Sequence, residues 1–347
     1  GLGDVYKRQD EYKPLPSSII AEGIDCFGVA GDRGDVAMVG YGAARYALAS
    51  GNCNEAEKLW PLIEWCLEYC HRQLNADGVV KSDSDELENR FPAGKANLCT
   101  SSLYYDALVS AAYLGKALKK EHKQIKSYQD RAAELYKNID AYFARNVEGY
   151  DTYRYYDGNT VLRSWICIPL TMGIYDQAKG TVEALFSDKL WMENGLLTQS
   201  GTSTYWDRST LYAFRGAYSC GARDIATEYL DKYSATRLLG DHVPYAVEAW
   251  PEGNQRHLST ESALYCRIMT EGLFGIRPIA LDAFMMTPQL PESWNTMSLK
   301  RICAFGSIFD IEVKRDKDDK LLVLIKKDHK IVKRSKITNG KPIEVRI

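Results

Sequence analysis

VAMVGYGAARYALAS (residues 36–50) followed by NEAEKLWPLIEWCLEYCHRQL (residues 54–74) decides the fold class. The first segment carries a single charged residue, Arg45, in fifteen positions. The second is amphipathic, with Leu59, Ile63, Cys66, Leu67, Cys70 and Leu74 on one stripe at helical spacing. Gly51-Asn52 between them is helix-turn-helix punctuation. A bare helix must be buried on all sides, whereas a one-striped helix buries one face and shows water the other.

The same alternation recurs outward from this pair. Residues 97–115 are bare except for Asp106, and 123–146 are amphipathic and charged. Segments 161–174 and 205–219 are again mostly apolar, each followed by a more polar one at 176–187 and 223–238, and 258–274 closes the series. Alternating buried and one-faced helices predict an inner ring wrapped by an outer ring, an α/α toroid. No constant repeat length supports a solenoid. After Gly275 the pattern changes. Pro278, Pro288 and Pro291 predict an irregular linker. Alternating runs at 307–314, 320–326, 330–336 and 342–347, with turns at Asp318-Asp319 and Asn339-Gly340, then predict one small antiparallel sheet. The expected organisation is a partial helical barrel over 10–276 and a linker with a β domain over 277–347.

Composition excludes several classes. Lys and Arg total 44 against 46 Asp and Glu, and the basic residues are dispersed, so neither a nucleic acid nor a membrane surface is an expected partner. No apolar run reaches membrane-spanning length. Nine cysteines, an odd number lacking CxxC or His/Cys spacing, predict core packing and no metal site. No cofactor is expected. His71, His242 and His257 offer no ligand or base pattern, and His71 is expected to face solvent. Aromatic residues reach 11%, which suits both sugar stacking and a packed core.

The chemistry-bearing stretch is residues 78–108, GVVKSDSDELENRFPAGKANLCTSSLYYDAL. Asp83, Asp85, Glu86, Glu88 and Asn89 crowd one loop before a bare helix, and crowded carboxylates raise one another's pKa as a general acid needs. A solvated connector has the same composition.

The chain resembles the six-hairpin glycosidase superfamily of glucoamylases, debranching glucosidases, α-rhamnosidases and maltose-phosphorylase-like enzymes, over roughly residues 24–315. Four stretches carry the resemblance in order: GDRGDVAMVGYGAARYALASG with WPLIEW; SDELE with Asn97 and LYYDAL; STYWDRSTLYAFRGA; and AVEAW with SALYCRIMTEGLFGIRP and TPQLPESW. The resemblance implies a glycoside hydrolase that inverts, acting on an oligo- or polysaccharide with two carboxylates and no metal. Glu86 is then the general acid, with Glu88 and Asp85 as alternates, and Glu248 the general base, with Glu252 as alternate. Asp32, Arg33 and Asp35 would clamp sugar hydroxyls, Asp35 being equally suited to cap the following helix. Tyr205, Trp206, Asp207, Arg208 and Trp250 would line a subsite, with a core role for Trp206 as the competing reading. The family barrel has twelve helices, with the acid loop between the fifth and sixth; here nine are read, with the loop between the second and third. Three N-terminal helices are therefore expected to be missing. Residues 3–9, GDVYKRQ, resemble a translated sequencing-library adapter, so residues 1–9 are expected to be a scar on a bacterial metagenomic fragment, and its cellular location is not readable. Rival readings are an inverting phosphorylase, which HLSTESALY (257–265) resembles, a polysaccharide lyase, and a glycan-binding toroid without catalysis.

Overall fold

The computed structural model describes residues 34–82, 91–237, 249–250 and 259–347. Its helices are α1 (Asp35–Ser50), α2 (Cys53–Arg72), α3 (Leu98–Ala117), α4 (His122–Phe143), α5 (Ile168–Met172), α6 (Ala178–Leu185), α7 (Asp207–Ser219), α8 (Arg223–Arg237) and α9 (Ser259–Arg267). A 3-10 turn (Ser164–Cys167) precedes α5, and a π-helix (Ile268–Leu273) continues α9.

The buried-against-striped alternation sorts the helices as their composition demands. In α3, Leu98, Leu103, Tyr104, Ala107, Leu108, Ala111 and Leu114 are buried along with most of the helix, Tyr113 lying on its one exposed strip. In α4 only the stripe Tyr128, Ala132, Leu135, Ile139 and Phe143 is buried. Consecutive bare helices contact one another, α1 with α3, α3 with α5, α5 with α7, and α7 with the π-helix, while α2 and α4 lie outside their partners. Local signals set the hairpins. Gly51 closes α1 at φ 69°, and the Asn52 side chain accepts from the amides of Asn54 and Glu55 to open α2. Asn97 caps α3 by accepting from Thr100 N at 2.9 Å. Cys66 and Cys70 are buried, as their stripe predicts.

Several boundaries differ from expectation. Gly34, not Asp35, is the N-cap of α1, and Asp35 is its first residue. The predicted inner helix at 161–174 shrinks to the 3-10 turn plus α5, because Pro169 lacks an amide donor and Gly173 ends the helix in the left-handed region. Two short hairpins, β1 (Ala144–Val147) with β2 (Tyr150–Tyr153) and β3 (Trp191–Met192) with β4 (Gly195–Leu196), interrupt the helices, and Tyr205–Trp206 is a short strand, β5, not the start of α7. His71 is half-buried, with burial and Arg131 pushing its imidazole pKa down.

The C-terminal region holds two sheets where one was expected. Strands β9 (Thr296–Ala304), β10 (Ser307–Arg315), β11 (Lys320–Lys327) and β12 (Lys330–Thr338) form an antiparallel meander. The last strand, β13 (Ile343–Arg346), instead pairs with β8 (Ala283–Met286), which pairs with β7 (Arg277–Ala280). The expected linker is thus partly strand. Pro278 is tolerated because β7 is an edge. Alternation places Phe309, Ile311 and Val313 with Leu321, Val323 and Ile325 on the covered face. The hairpin between β9 and β10 closes on the end of α1: Phe305 N and Gly306 N donate to Ala49 O and Ser50 O at 2.6 and 3.1 Å. Those are terminal carbonyls the helix itself cannot satisfy.

Candidate functional site

The bare helices start at one end of the body. A Cβ on Gly34 would stand 2.7 Å from Thr100 Oγ1, so the N-termini of α1 and α3 adjoin. From α3 the rim continues through short ladders. Asn97 bridges Tyr156, Leu98 N donates to Tyr155 O, and Ser164 N donates to Thr198 O. Leu197 bridges Tyr205, and β5 pairs with β6 (Ala249–Trp250), Tyr205 opposite Trp250. The segments flanking both expected catalytic loops are therefore fastened to this rim.

One side chain that sequence reading missed locks the return from the acidic loop. Arg163 is 1% exposed, donates to Pro92 O at 3.0 Å, and lies over the rings of Phe91 and Tyr155 at 5.0 and 4.7 Å. Gly94, at φ 72°, makes the same turn possible, since a Cβ there would meet Tyr156 at 2.5 Å.

The expected site residues separate into groups. Asp32, Arg33, Asp85, Glu86, Glu88, Glu248 and Glu252 lie outside the described residues, and Trp250 is described only by its strand pairing. Asp35 stands at the rim in the first turn of α1. Tyr205 and Arg208 are half-buried there, with the Arg208 guanidinium 5.4 Å from the Trp206 ring centroid. Trp206 itself, expected to stack on a sugar, is 3% exposed and packs edge-on against Trp165 at 5.0 Å, so its ring belongs to the core. Asp207, also expected in a subsite, is fully buried and accepts from Arg237 at 3.0 Å. Its charge is committed to that pair.

Towards the other end of the bare helices lies a second constellation that was not anticipated. Asp106 is fully buried and accepts from Arg45 Nε at 2.9 Å and from Arg277. Arg45 Nη1 also donates to Glu271 at 2.8 Å, and Arg267 Nε donates to Glu271 at 2.5 Å. Arg267 and Arg215 both donate to the Tyr41 hydroxyl, at 2.5 and 3.4 Å. Burial opposes the charge on Asp106, but Arg277 and Arg45 prevail and hold its carboxyl below the usual range. At Glu271 burial is likewise overcome, by Arg267, Arg215 and Arg45. Burial pushes the Tyr41 phenol up, yet the same three arginines bring it below its ordinary value. The legible signal was a charge inside a mostly apolar segment: Arg45 and Asp106 alone in theirs, Arg215 and Glu271 in segments that also carry Asp207, Arg208 and Arg267. The π-helix carries Glu271, and such insertions often mark functional positions.

Among the described residues no group of three or more His, Cys, Asp and Glu could hold a metal ion, and no helix is long and apolar enough to cross a membrane.

No protein-family model and no curated protein matches the sequence. Solved structures do match the fold. A sialidase superposes with TM-score 0.67 at 15% identity, covering 88% of this chain and 32% of its own. The α-L-rhamnosidase from Dictyoglumus thermophilum gives 0.57 at 14%, covering 99% and 42%. A GH78 family rhamnosidase of Bacillus sp. GL1 gives 0.53 at 13%, covering 82% and 29%. The chain thus spans between 29% and 42% of the length of these structures. At such identities the likeness concerns architecture: a helical body with antiparallel sheets, shared with glycosidases.

Proposed function

We propose that the chain is part of a glycoside hydrolase whose helical body is an α/α toroid of the six-hairpin type, and that it cleaves glycosidic bonds with inversion. In this reading Glu86 protonates the leaving oxygen and Glu248 activates a water from the opposite face of the sugar ring, with Glu88, Asp85 and Glu252 as alternates. Asp32, Arg33, Asp35, Tyr205, Arg208 and Trp250 bind substrate around them. The observation that carries the proposal is the common rim. Phe91, which closes the acidic loop, is held by Arg163, and Ala249, which follows Glu248, is paired in β6 with β5. The described residues that flank the two carboxylate-bearing segments thus meet at one end of the bare helices, which supports a two-carboxylate reading. The glycosidase-like fold of the matching structures supports the same reading.

The test is hydrolysis of glycosides of glucose, rhamnose, galactose, fucose and sialic acid, with and without phosphate, following the released anomer by NMR. Release of the inverted anomer without phosphate is expected. Glu86→Gln and Glu248→Gln should each cut turnover by about 10²- to 10⁴-fold, the usual worth of a positioned acid or base. Strict phosphate dependence, a retained anomer, or full activity in both variants would each sink the assignment.

A further inference from the structure

One strip of α3 is left open at the surface. Tyr105, Val109 and Tyr113 follow one another at helical spacing, which puts them on one face. None of the three is fully buried, and Tyr113 is 37% exposed. Beside them α4 presents Ala133 and Tyr136, and the Tyr105 and Tyr136 rings meet at 5.5 Å. No residue of α6, the next outer helix, lines this strip. The result is a cavity of about 560 Å³ between α3 and α4, within the size range of small-ligand sites.

Its walls are the three phenol rings, Val109 and short alanine side chains; beyond the phenols its polar groups are Lys116, Lys137 and Gln129. Among the described residues no carboxylate lines it. Asp176 acts on the Tyr136 hydroxyl from outside the lining, and burial with that carboxylate pushes the phenol up to about 12. Both lysines are exposed, and neither has a hydrogen bond or ion pair with a described residue. Sugar hydroxyls call for strong acceptors as well as donors, and without a carboxylate this lining favours no neutral sugar. An aromatic ring set among tyrosines gains from edge and face contacts. Lysines free of partners add charge complementarity to an anion.

We infer that this cavity binds a small aromatic acid, its ring set among Tyr105, Tyr113 and Tyr136 and its carboxylate drawn to Lys116 or Lys137. Calorimetric titration of the full chain tests it with three probes: naphthoate, naphthylmethylamine, which carries the same ring and the opposite charge, and methyl glucoside. Saturable binding of naphthoate is expected, about tenfold or more tighter than that of the amine or the glucoside. Lys116→Gln combined with Lys137→Gln should weaken it by about five- to tenfold, the worth of two partly exposed ion contacts, and bring acid and amine level. Ala133→Trp, at an exposed position of α4, fills the cavity and should abolish binding of the acid. Lys123→Gln, on α4 outside the cavity, should leave binding unchanged. No saturable heat from naphthoate, equal binding of the amine or the glucoside by the unaltered chain, or undiminished affinity in the double lysine variant overturns the inference. The substitutions fall on exposed side chains, so the variants are expected to fold. None of these readouts depends on hydrolysis, so this cavity and the proposed catalytic rim stand or fall separately.

Discussion

Replacing Asp106 with Asn probes whether the buried charge cluster holds the helical body together. The carboxylate is fully buried and serves Arg45, Arg277 and Ser110, so the amide would leave two guanidinium groups facing each other with half their counter-charge gone. Breaking a buried pair from one side costs roughly 3–5 kcal/mol, because the remaining charge is stranded rather than solvated. At about 2 °C per kcal/mol for a chain of this size, Tm should fall by roughly 6–10 °C. Scanning calorimetry and urea titration of the two proteins measure it. A matched comparison sharpens the logic: Asp106→Leu with Arg45→Met and Arg277→Met removes these three charges together, leaving Glu271 to Arg267 and Arg215, and should recover much of the loss, since apolar replacement of a buried charged group with its partners is often neutral. A loss below about 1 kcal/mol in Asp106→Asn, or no recovery in the triple variant, would refute the reasoning.

Three further outcomes are expected. Asp106 and Glu271 both titrate below their ordinary values, so the stability they contribute is present above the unfolded carboxylate range, about pH 4, and is lost as pH falls through the lower folded values; urea midpoints measured from pH 7 down to pH 3 should fall steeply below about pH 4, and a flat profile would count against the cluster. Gly51→Ala puts a Cβ at φ 69° and 2.2 Å from Gly306 N, where backbone cannot yield, so it should destabilise by about 3 kcal/mol or more and increase proteolysis between the helical body and β9–β10. Asp207→Asn removes the counter-charge of Arg237, which is 2% exposed; a Tm loss is expected, and a purely kinetic effect on glycoside cleavage with unchanged Tm would return Asp207 to the substrate subsite.

The alternation of bare and striped helices was legible because burial leaves a periodic trace: a helix wrapped on every side can carry almost no charge. Turn chemistry located the hairpin at Gly51-Asn52, and period-two alternation located β10, β11 and β12 but not β9. The burial rule failed at residues 161–174, where apolar composition marks burial without specifying helix length, and Pro169 and Gly173 cut the helix short. Alternation failed at β13, because alternation within a strand says nothing about which neighbour it pairs with. Trp206 shows a related limit. An aromatic ring beside Asp and Arg has the same sequence whether it stacks on sugar or on Trp165.

What the sequence determined by itself, then, is which helical segments are buried on most sides, which bury a single stripe, and where the alternating strands β10 to β12 run. Only tertiary structure decided partnership. Arg45, Asp106, Arg215, Glu271 and Arg277 are spread over 233 positions, each within a mostly apolar stretch. Folding brings them within hydrogen-bond reach, and the low-dielectric interior then makes each charge tolerable only because the others are there.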